Sequence, residues 1–599
     1  MTAAVPAAFT PDLGIASLRA RYRAGSLTPG EVARTVVERI EKRGADGVWI
    51  SRVDPDRLVA AADALDPASL EDRPLFGVPF AVKDNVDVVG LPTTAAYPGR
   101  EAPASSSAPV VEALVRAGAI LVGKTNLDQF ATGLSGTRSP YGIPRSVHDH
   151  ALISGGSSSG SGVAVGAGLV SFALGTDTAG SGRVPAALNG VVGVKPSIGL
   201  VSTRGVVPAC RSLDCVTAFA ADVADGAAVL AVIAGHDDAD PWSRALPVPP
   251  ATPSTVSAAG LRLAVPRSVE RWGARGERAA WQRLLDRLSD AGVELVPVDL
   301  TPFLEAGRQL YDGAWIAERL DGLEELVVRH RESLHPVVRE ILARGLEVRG
   351  VDVFAAIDTM ADLRREARRR IAHTDALLTP TVTETFTVEE MRRDPIALNA
   401  RLGTYTTFSN LLDLCALALP AGGRADAPFG VTIHAPAGRD PLVAGIGATV
   451  EAVVRGAAVH PGPSEPEGLR LAVVGAHLRG MPLHDDLLAR GAVLEARTTT
   501  APAYRLFRLA HAEPAKPGLL RVGDRGGVPI EVEVYRLPLA EVGGLLRAVR
   551  APLAIGQVTL ADGAAVHGFV CEPEGLDGAE DITEFRGWRA FVESTASAP

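Results

Sequence analysis

The sequence predicts an α/β protein built as one large domain followed by one small one. Three observations predict it. Helix and strand patterns alternate from residue 12 onward, a segment dense in Gly, Ser and Ala keeps regular apolar side chains, and a Pro-rich stretch without periodicity interrupts the chain near residue 461.

The elements follow in chain order. Residues 12–43 carry helical periodicity, and Thr28-Pro29-Gly30-Glu31 reads as a Thr cap with Pro at the first helical position. The run PLFGVPFAVKDNVDVV at 74–89 reads as short buried strands, and 110–117 followed by 119–122 reads as a helix and then a strand. Residues 154–182 have the composition of a flexible linker, yet Val163, Val165, Leu169, Val170, Phe172 and Leu174 are spread through them. Linkers do not carry such apolar content, so a tightly packed small-residue helix leading into a strand is expected. The apolar stretches 163–174 and 411–420 are shorter than the ~20 residues needed to cross a bilayer and suit buried helices. Arg364, Arg365, Arg368, Arg369 and Arg370 are expected on a solvated helix face. Helical periodicity at 444–454 precedes the break, and LRLAVV at 469–474 opens a new strand. The expected organisation is a domain at 1–460, a Pro-rich linker at 461–468 and a second domain at 469–599; a weaker break at 247–257 is expected as a surface loop.

Composition narrows the function. The chain has 599 residues, 47% hydrophobic and 22% charged, with a net charge of -10, which suits a soluble globular protein and not a nucleic-acid binder. The four cysteines form neither a disulfide framework nor a zinc spacing, and the N-terminus lacks the features of a secretion signal, so a cytoplasmic protein is expected, with no metal and no membrane partner. The five lysines stand against 55 arginines. A position that keeps Lys in such a chain can need an ammonium able to lose its proton, which Arg does not do.

Three segments carry chemistry: Ala81-Val82-Lys83-Asp84-Asn85, Gly155-Gly156-Ser157-Ser158-Ser159-Gly160, and Gly175-Thr176-Asp177-Thr178-Ala179-Gly180-Ser181-Gly182-Arg183. A serine flanked by glycines at a strand end lets a carbonyl approach the backbone closely, and N–H groups along Thr178, Ala179, Gly180 and Ser181 can face a developing oxyanion. A Gly/Ser turn without a catalytic role is the competing reading of any one segment. The serine needs a base, and none of the 12 histidines falls in these segments. Lys83, in an apolar strand, can serve if desolvation lowers its pKa; the alternative is an ion pair with Asp84 or Asp87.

Taken together, residues 155–197, GGSSSGSGVAVGAGLVSFALGTDTAGSGRVPAALNGVVGVKPS, resemble the amidase signature, and Lys83 and Ser157 lie where that family places its Lys and its cis-Ser. The 24-residue interval from Ser157 to Ser181 fits as well, and the resemblance spans about 12–455. It implies a mixed β-sheet core covered by helices, Ser181 as nucleophile, Ser157 as proton relay and neutral Lys83 as general base. Asp177 and Arg183 are expected to hold the loop, and Lys124 and Lys195 to have structural roles.

Within the family the chain looks most like allophanate hydrolases. The nucleophile loop GTDTAGSGRVPAALN and the loop Thr132-Gly133-Leu134-Ser135-Gly136-Thr137-Arg138-Ser139-Pro140-Tyr141-Gly142 resemble that branch, which implicates Gly133 in substrate binding. Tyr311 and Arg319 in LYDGAWIAER resemble the pair that binds the substrate carboxylate, and positions eight apart on one helix share a face. An Arg fork with a phenol is a sensible carboxylate anchor. VVGAHLRGMPL at 473–483 is similar to the start of the allophanate hydrolase C-terminal domain, a fold like that of γ-glutamyl cyclotransferases, in which His477 matches a His proposed for decarboxylation. Spontaneous decarboxylation and a purely dimer-forming domain are the alternatives for that domain. The resemblance therefore implies a cofactor-free homodimer that hydrolyses allophanate. There is no Met-Lys pair and no P-loop, so a functional link to a separate urea carboxylase is expected. The ammonia-supplying component of a glutamine-dependent amidotransferase is the rival reading.

Overall fold

The computed structural model describes residues 12–424, 427–456, 468–510, 515–523 and 526–596. Most of the expected linker, 461–467, lies outside the described residues.

Eleven strands form one mixed sheet: β1 (Trp49–Arg52), β2 (Pro79–Lys83), β3 (Ile120–Thr125), β4 (Phe172–Asp177), β5 (Val192–Lys195), β6 (Cys215–Ala220), β7 (Arg262–Pro266), β8 (Glu294–Val298), β9 (Ala376–Pro380), β10 (Leu414–Arg424) and β11 (Ala427–Pro436). Their order is β1-β3-β2-β4-β6-β5-β10-β11-β9-β7-β8. β2 runs parallel to both β3 and β4, while β4, β6, β5, β10, β11 and β9 are successively antiparallel. Helices cover the sheet, so its central strands are buried throughout and read as continuous apolar runs without alternation. That explains a correction: the stretch 411–420 is not a buried helix but mostly β10, because a short apolar run buried on both faces has the same pattern in either state. The stretch 163–174 divides between the end of the helix Ser159–Gly166 and the start of β4. The run 74–89 contributes only β2 to the main sheet, followed by isolated bridges at Val86 and Val89.

Local signals place the entry helices. Thr28 accepts from the Glu31 N–H while the Glu31 carboxylate accepts from the Thr28 N–H, a reciprocal cap that starts the helix Pro29–Arg43. The arginine run lies on the helix Gly350–Ile371, where Arg365, Arg369 and Arg370 make exposed ion pairs with Asp362 and Glu366. All four cysteines are buried and free. No helix among the described residues is long and apolar enough to cross a membrane.

The residues from 468 build a five-stranded sheet, ordered Val493–Thr499, Glu531–Pro538, Gly468–Val473, Ala565–Cys571, Leu553–Thr559, around a separate apolar core that includes Trp588 and Phe591. A three-stranded sheet flanks it. Arg479 joins the two parts through an ion pair with Asp375, both side chains being 3% exposed. Asp375 also accepts the Arg262 N–H at 2.8 Å, at the start of β7. A buried pair that loses one partner leaves a stranded charge, a cost of about 3–5 kcal/mol. Asp375→Asn is therefore expected to lower the urea midpoint followed by far-UV circular dichroism, and Arg479→Met in that background to recover part of the loss. An unchanged midpoint in Asp375→Asn contradicts this.

Candidate active site

The parallel pair β2 and β4 ends at one place, and those two carboxyl ends hold the chemistry. Lys83 is the last residue of β2 and is fully buried. Its Nζ lies 2.8 Å from Ser157 Oγ and 2.8 Å from Thr176 Oγ1, hydroxyls brought to it by the loop before the helix Ser159–Gly166 and by β4. Asp84, one alternative partner for Lys83, is instead 3.1 Å from Lys124 Nζ. Lys195 also has a structural place, donating to the carbonyls of Pro196 and Leu414. Burial pushes the Lys83 pKa down to about 7, against the opposing pull of Asp128, Asp214 and Asp177. At neutral pH a large fraction of Lys83 is then an amine with a lone pair.

Ser157 sits behind a cis Gly156–Ser157 peptide. A Cβ at Gly156 would come within 2.2 Å of Asp128 Oδ2, so only glycine fits beside that carboxylate. Asp128 accepts the N–H groups of Gly136 and Arg138 at 3.0 and 2.8 Å, and its own N–H donates to the Ser157 carbonyl at 3.1 Å. One carboxylate thus ties the Gly133 loop to the Ser157 loop.

Ser181 follows β4 in a loop wrapped around Asp177. That carboxylate accepts from the N–H groups of Gly180 and Gly182, at 2.8 and 3.0 Å, and forms a fully buried pair with Arg183 at 2.8 Å. Burial works to raise the Asp177 pKa, but Arg183 and these donors outweigh it and hold the pKa below the usual range. Arg183 in turn bonds Thr406 O, Ser409 Oγ and Asn410 Oδ1, which locks the loop to the segment before β10. Ser181 itself is 2% exposed. Gly180 has φ +125°, and a Cβ there would meet Thr406 Oγ1 at 2.3 Å. The Gly180 N–H is committed to Asp177, which removes it from the four expected oxyanion donors Thr178, Ala179, Gly180 and Ser181; the Thr178 hydroxyl is anchored on Asp214.

The expected carboxylate anchor assembles differently from the sequence reading. Tyr311 and Arg319 do not share one helix: the chain breaks at Gly313, between the helices Thr301–Asp312 and Trp315–Leu320. The side chains still meet, with the Arg319 guanidinium 5.0 Å from the centre of the Tyr311 ring. Arg319 is 2% exposed, and its Nη1 is 3.5 Å from Thr132 Oγ1, next to Gly133. Arg319 Nε, Arg319 Nη2 and the Tyr311 hydroxyl are buried without hydrogen-bond partners. Buried polar groups are nearly always satisfied, so this set is suited to a planar acceptor such as a carboxylate.

His477 is apart from these residues, in the small domain, stacked on Phe569 with ring centroids 4.9 Å apart; burial pushes its pKa down to about 4, which keeps it neutral near pH 7. Sequence reading gives no role to Thr176, the second hydroxyl on Lys83. Its position one residue before Asp177, at the end of a strand parallel to the Lys83 strand, is the available signal.

Residues 31–444 match the amidase family, and residues 469–593 match the allophanate hydrolase C-terminal domain. The chain is 39% identical to the urea amidolyase of Saccharomyces cerevisiae over 575 residues, 92% of this chain and 31% of that protein. It thus spans about a third of the length of the curated urea amidolyases it matches. The solved structure of Kluyveromyces lactis allophanate hydrolase superposes with a TM-score of 0.72 at 36% identity, covering 98% of this chain and 100% of that one. A glutamyl-tRNA(Gln) amidotransferase chain of Acidobacterium capsulatum is 35% identical over 67% of this chain and 90% of its own. The chain belongs to the amidase family and carries an allophanate hydrolase C-terminal domain.

Proposed function

We propose that the protein hydrolyses allophanate, with Ser181 as nucleophile, Ser157 as relay and Lys83 as general base. The hydrogen bond from Lys83 to Ser157 in a fully buried setting supports the base, and the matched relatives support the substrate class. The observation that carries the substrate is the unpartnered set of Arg319 Nε, Arg319 Nη2 and the Tyr311 hydroxyl. Allophanate is a urea bearing a carboxylate; its carboxylate fits this set, and Gly133 is assigned to the substrate loop beside it. Neutral Lys83 accepts the Ser157 proton as Ser157 accepts that of Ser181, and the Ser181 oxygen attacks the terminal amide carbon. The N–H groups of Thr178 and Ala179 hold the oxyanion. On collapse the C–N bond breaks and the departing nitrogen takes a proton back from Ser157, which Lys83 reprotonates, so that ammonia leaves; water, deprotonated by the same relay, then frees N-carboxycarbamate from the acyl-enzyme.

Decarboxylation of that product, with His477 assigned to it, takes up a proton at nitrogen and gives carbamate and carbon dioxide, and the carbamate then falls apart to a second ammonia and a second carbon dioxide. A urea-carboxylating activity would supply the substrate. The homodimer and the domain limits 1–460 and 469–599 belong to the same proposal.

Purified protein alone should release ammonia from allophanate, and Ser181→Ala should abolish release. Ammonia released only from glutamine, and only with partner proteins, overturns this reading in favour of an amidotransferase. Below pH 7 Lys83 gains a proton and loses its lone pair, so kcat/KM should fall about tenfold per pH unit on the acid side and level off above the pKa near 7. Lys83→Arg should be nearly inactive at every pH, since guanidinium stays protonated. A flat profile between pH 5 and 8, or an active Lys83→Arg, contradicts the base assignment.

A further inference from the structure

A cavity of about 590 Å³ lies beside the loop that carries Gly133, and Arg138, Arg145, Arg392 and His335 line it while no Asp or Glu does. Arg138 is 1% exposed; its two terminal nitrogens donate to the carbonyls of Thr132 and Pro395 at 3.0 and 2.6 Å, and its Nε is buried without a partner. Arg145 donates to the His150 carbonyl, again a neutral group. Among the described residues none of the three arginines is ion-paired with a carboxylate. His335 Nδ1 is also buried without a partner, and the helix Pro336–Ala343 presents its N-terminal turn, the positive end of its dipole, to the same space.

Arg138, which lines the cavity, is tied to the Arg319 site by way of Thr132. Thr132 accepts Arg138 with its carbonyl and faces Arg319 with its hydroxyl, at 3.0 and 3.5 Å. The three arginines outweigh Asp128, the carboxylate that acts on Arg138 and His335, and net positive charge in a recess walled by protein concentrates small anions and raises their rate of capture by about 10-fold to 1,000-fold. Neutral substrates gain nothing from it.

We propose that this cavity is a second anion site, an antechamber that captures a small carboxylate and delivers it past Arg138 and Thr132 to Arg319. It rests on the reading that the substrate is a carboxylated amide. Arg145 and Arg392 carry the capture; Arg138 links the two sites.

The test uses Arg145→Gln/Arg392→Gln, two positions outside the catalytic set. At low salt its kcat/KM on allophanate should fall about tenfold with kcat within twofold of the parent, and the parent's loss of kcat/KM with added salt should flatten. An unchanged kcat/KM and salt slope, or a fall carried by kcat, overturns the proposal. Calorimetry with malonate as the probe separates this from a wrong substrate. Malonate binding that survives in Arg319→Ala and disappears in Arg145→Gln/Arg392→Gln supports the antechamber even if allophanate is not turned over. Binding that disappears in Arg319→Ala and survives in the double variant overturns it.

Discussion

A primary amine held out of water by two hydroxyls is the constraint on which the site depends. Lys83 Nζ has Ser157 and Thr176 within 2.8 Å, and its nearest carboxylates act at a distance. An adjacent Asp would have paired it and kept it charged. Asp84 does adjoin it in sequence, but the strand turns that side chain to Lys124. Two buried lysines on neighbouring strands β2 and β3 thereby take opposite parts: one neutralises a carboxylate, the other is left free to exchange a proton.

The carboxylates around the amine shape backbone instead. Asp177 gathers the N–H groups on either side of Ser181 and pairs with Arg183, and Asp128 gathers those of the Gly133 loop beside Ser157. Each is satisfied by several donors, which fixes the loop, and their pull toward a charged Lys83 is outweighed by its burial. Positive charge is distributed the other way, with Arg319 and Arg138 keeping unpaired nitrogens on both sides of Thr132. The arrangement sets unpartnered guanidinium nitrogens in the same site as an amine whose burial favours its neutral form.

Much of this is legible in the sequence because it is local. The Thr28 cap, the small-residue helix Ser159–Gly166 and the strand β4 each follow from a few adjacent residues. Lys83 stands out because the chain otherwise prefers Arg, and the long Gly/Ser block supplies Ser157 and Ser181. What is not legible depends on partners distant in sequence. The Gly180 N–H is spent on Asp177, which depends on how the loop curls back, and Thr176 reaches Lys83 only because β2 and β4 run parallel. Helical spacing brings Tyr311 and Arg319 together for the wrong reason: a break at Gly313 and the packing of two helices, not one shared face, puts the guanidinium over the ring. The run 411–420 passes for a helix because a strand buried on both faces carries no period.

The five lysines make the central claim directly measurable, since a chain labelled with 15N-lysine gives few Nζ signals to follow. One of them, missing from Lys83→Met, should titrate near pH 7. A Lys83 signal that stays that of an ammonium up to pH 9 would contradict the account, because the base it assigns would then be protonated where the enzyme is expected to work.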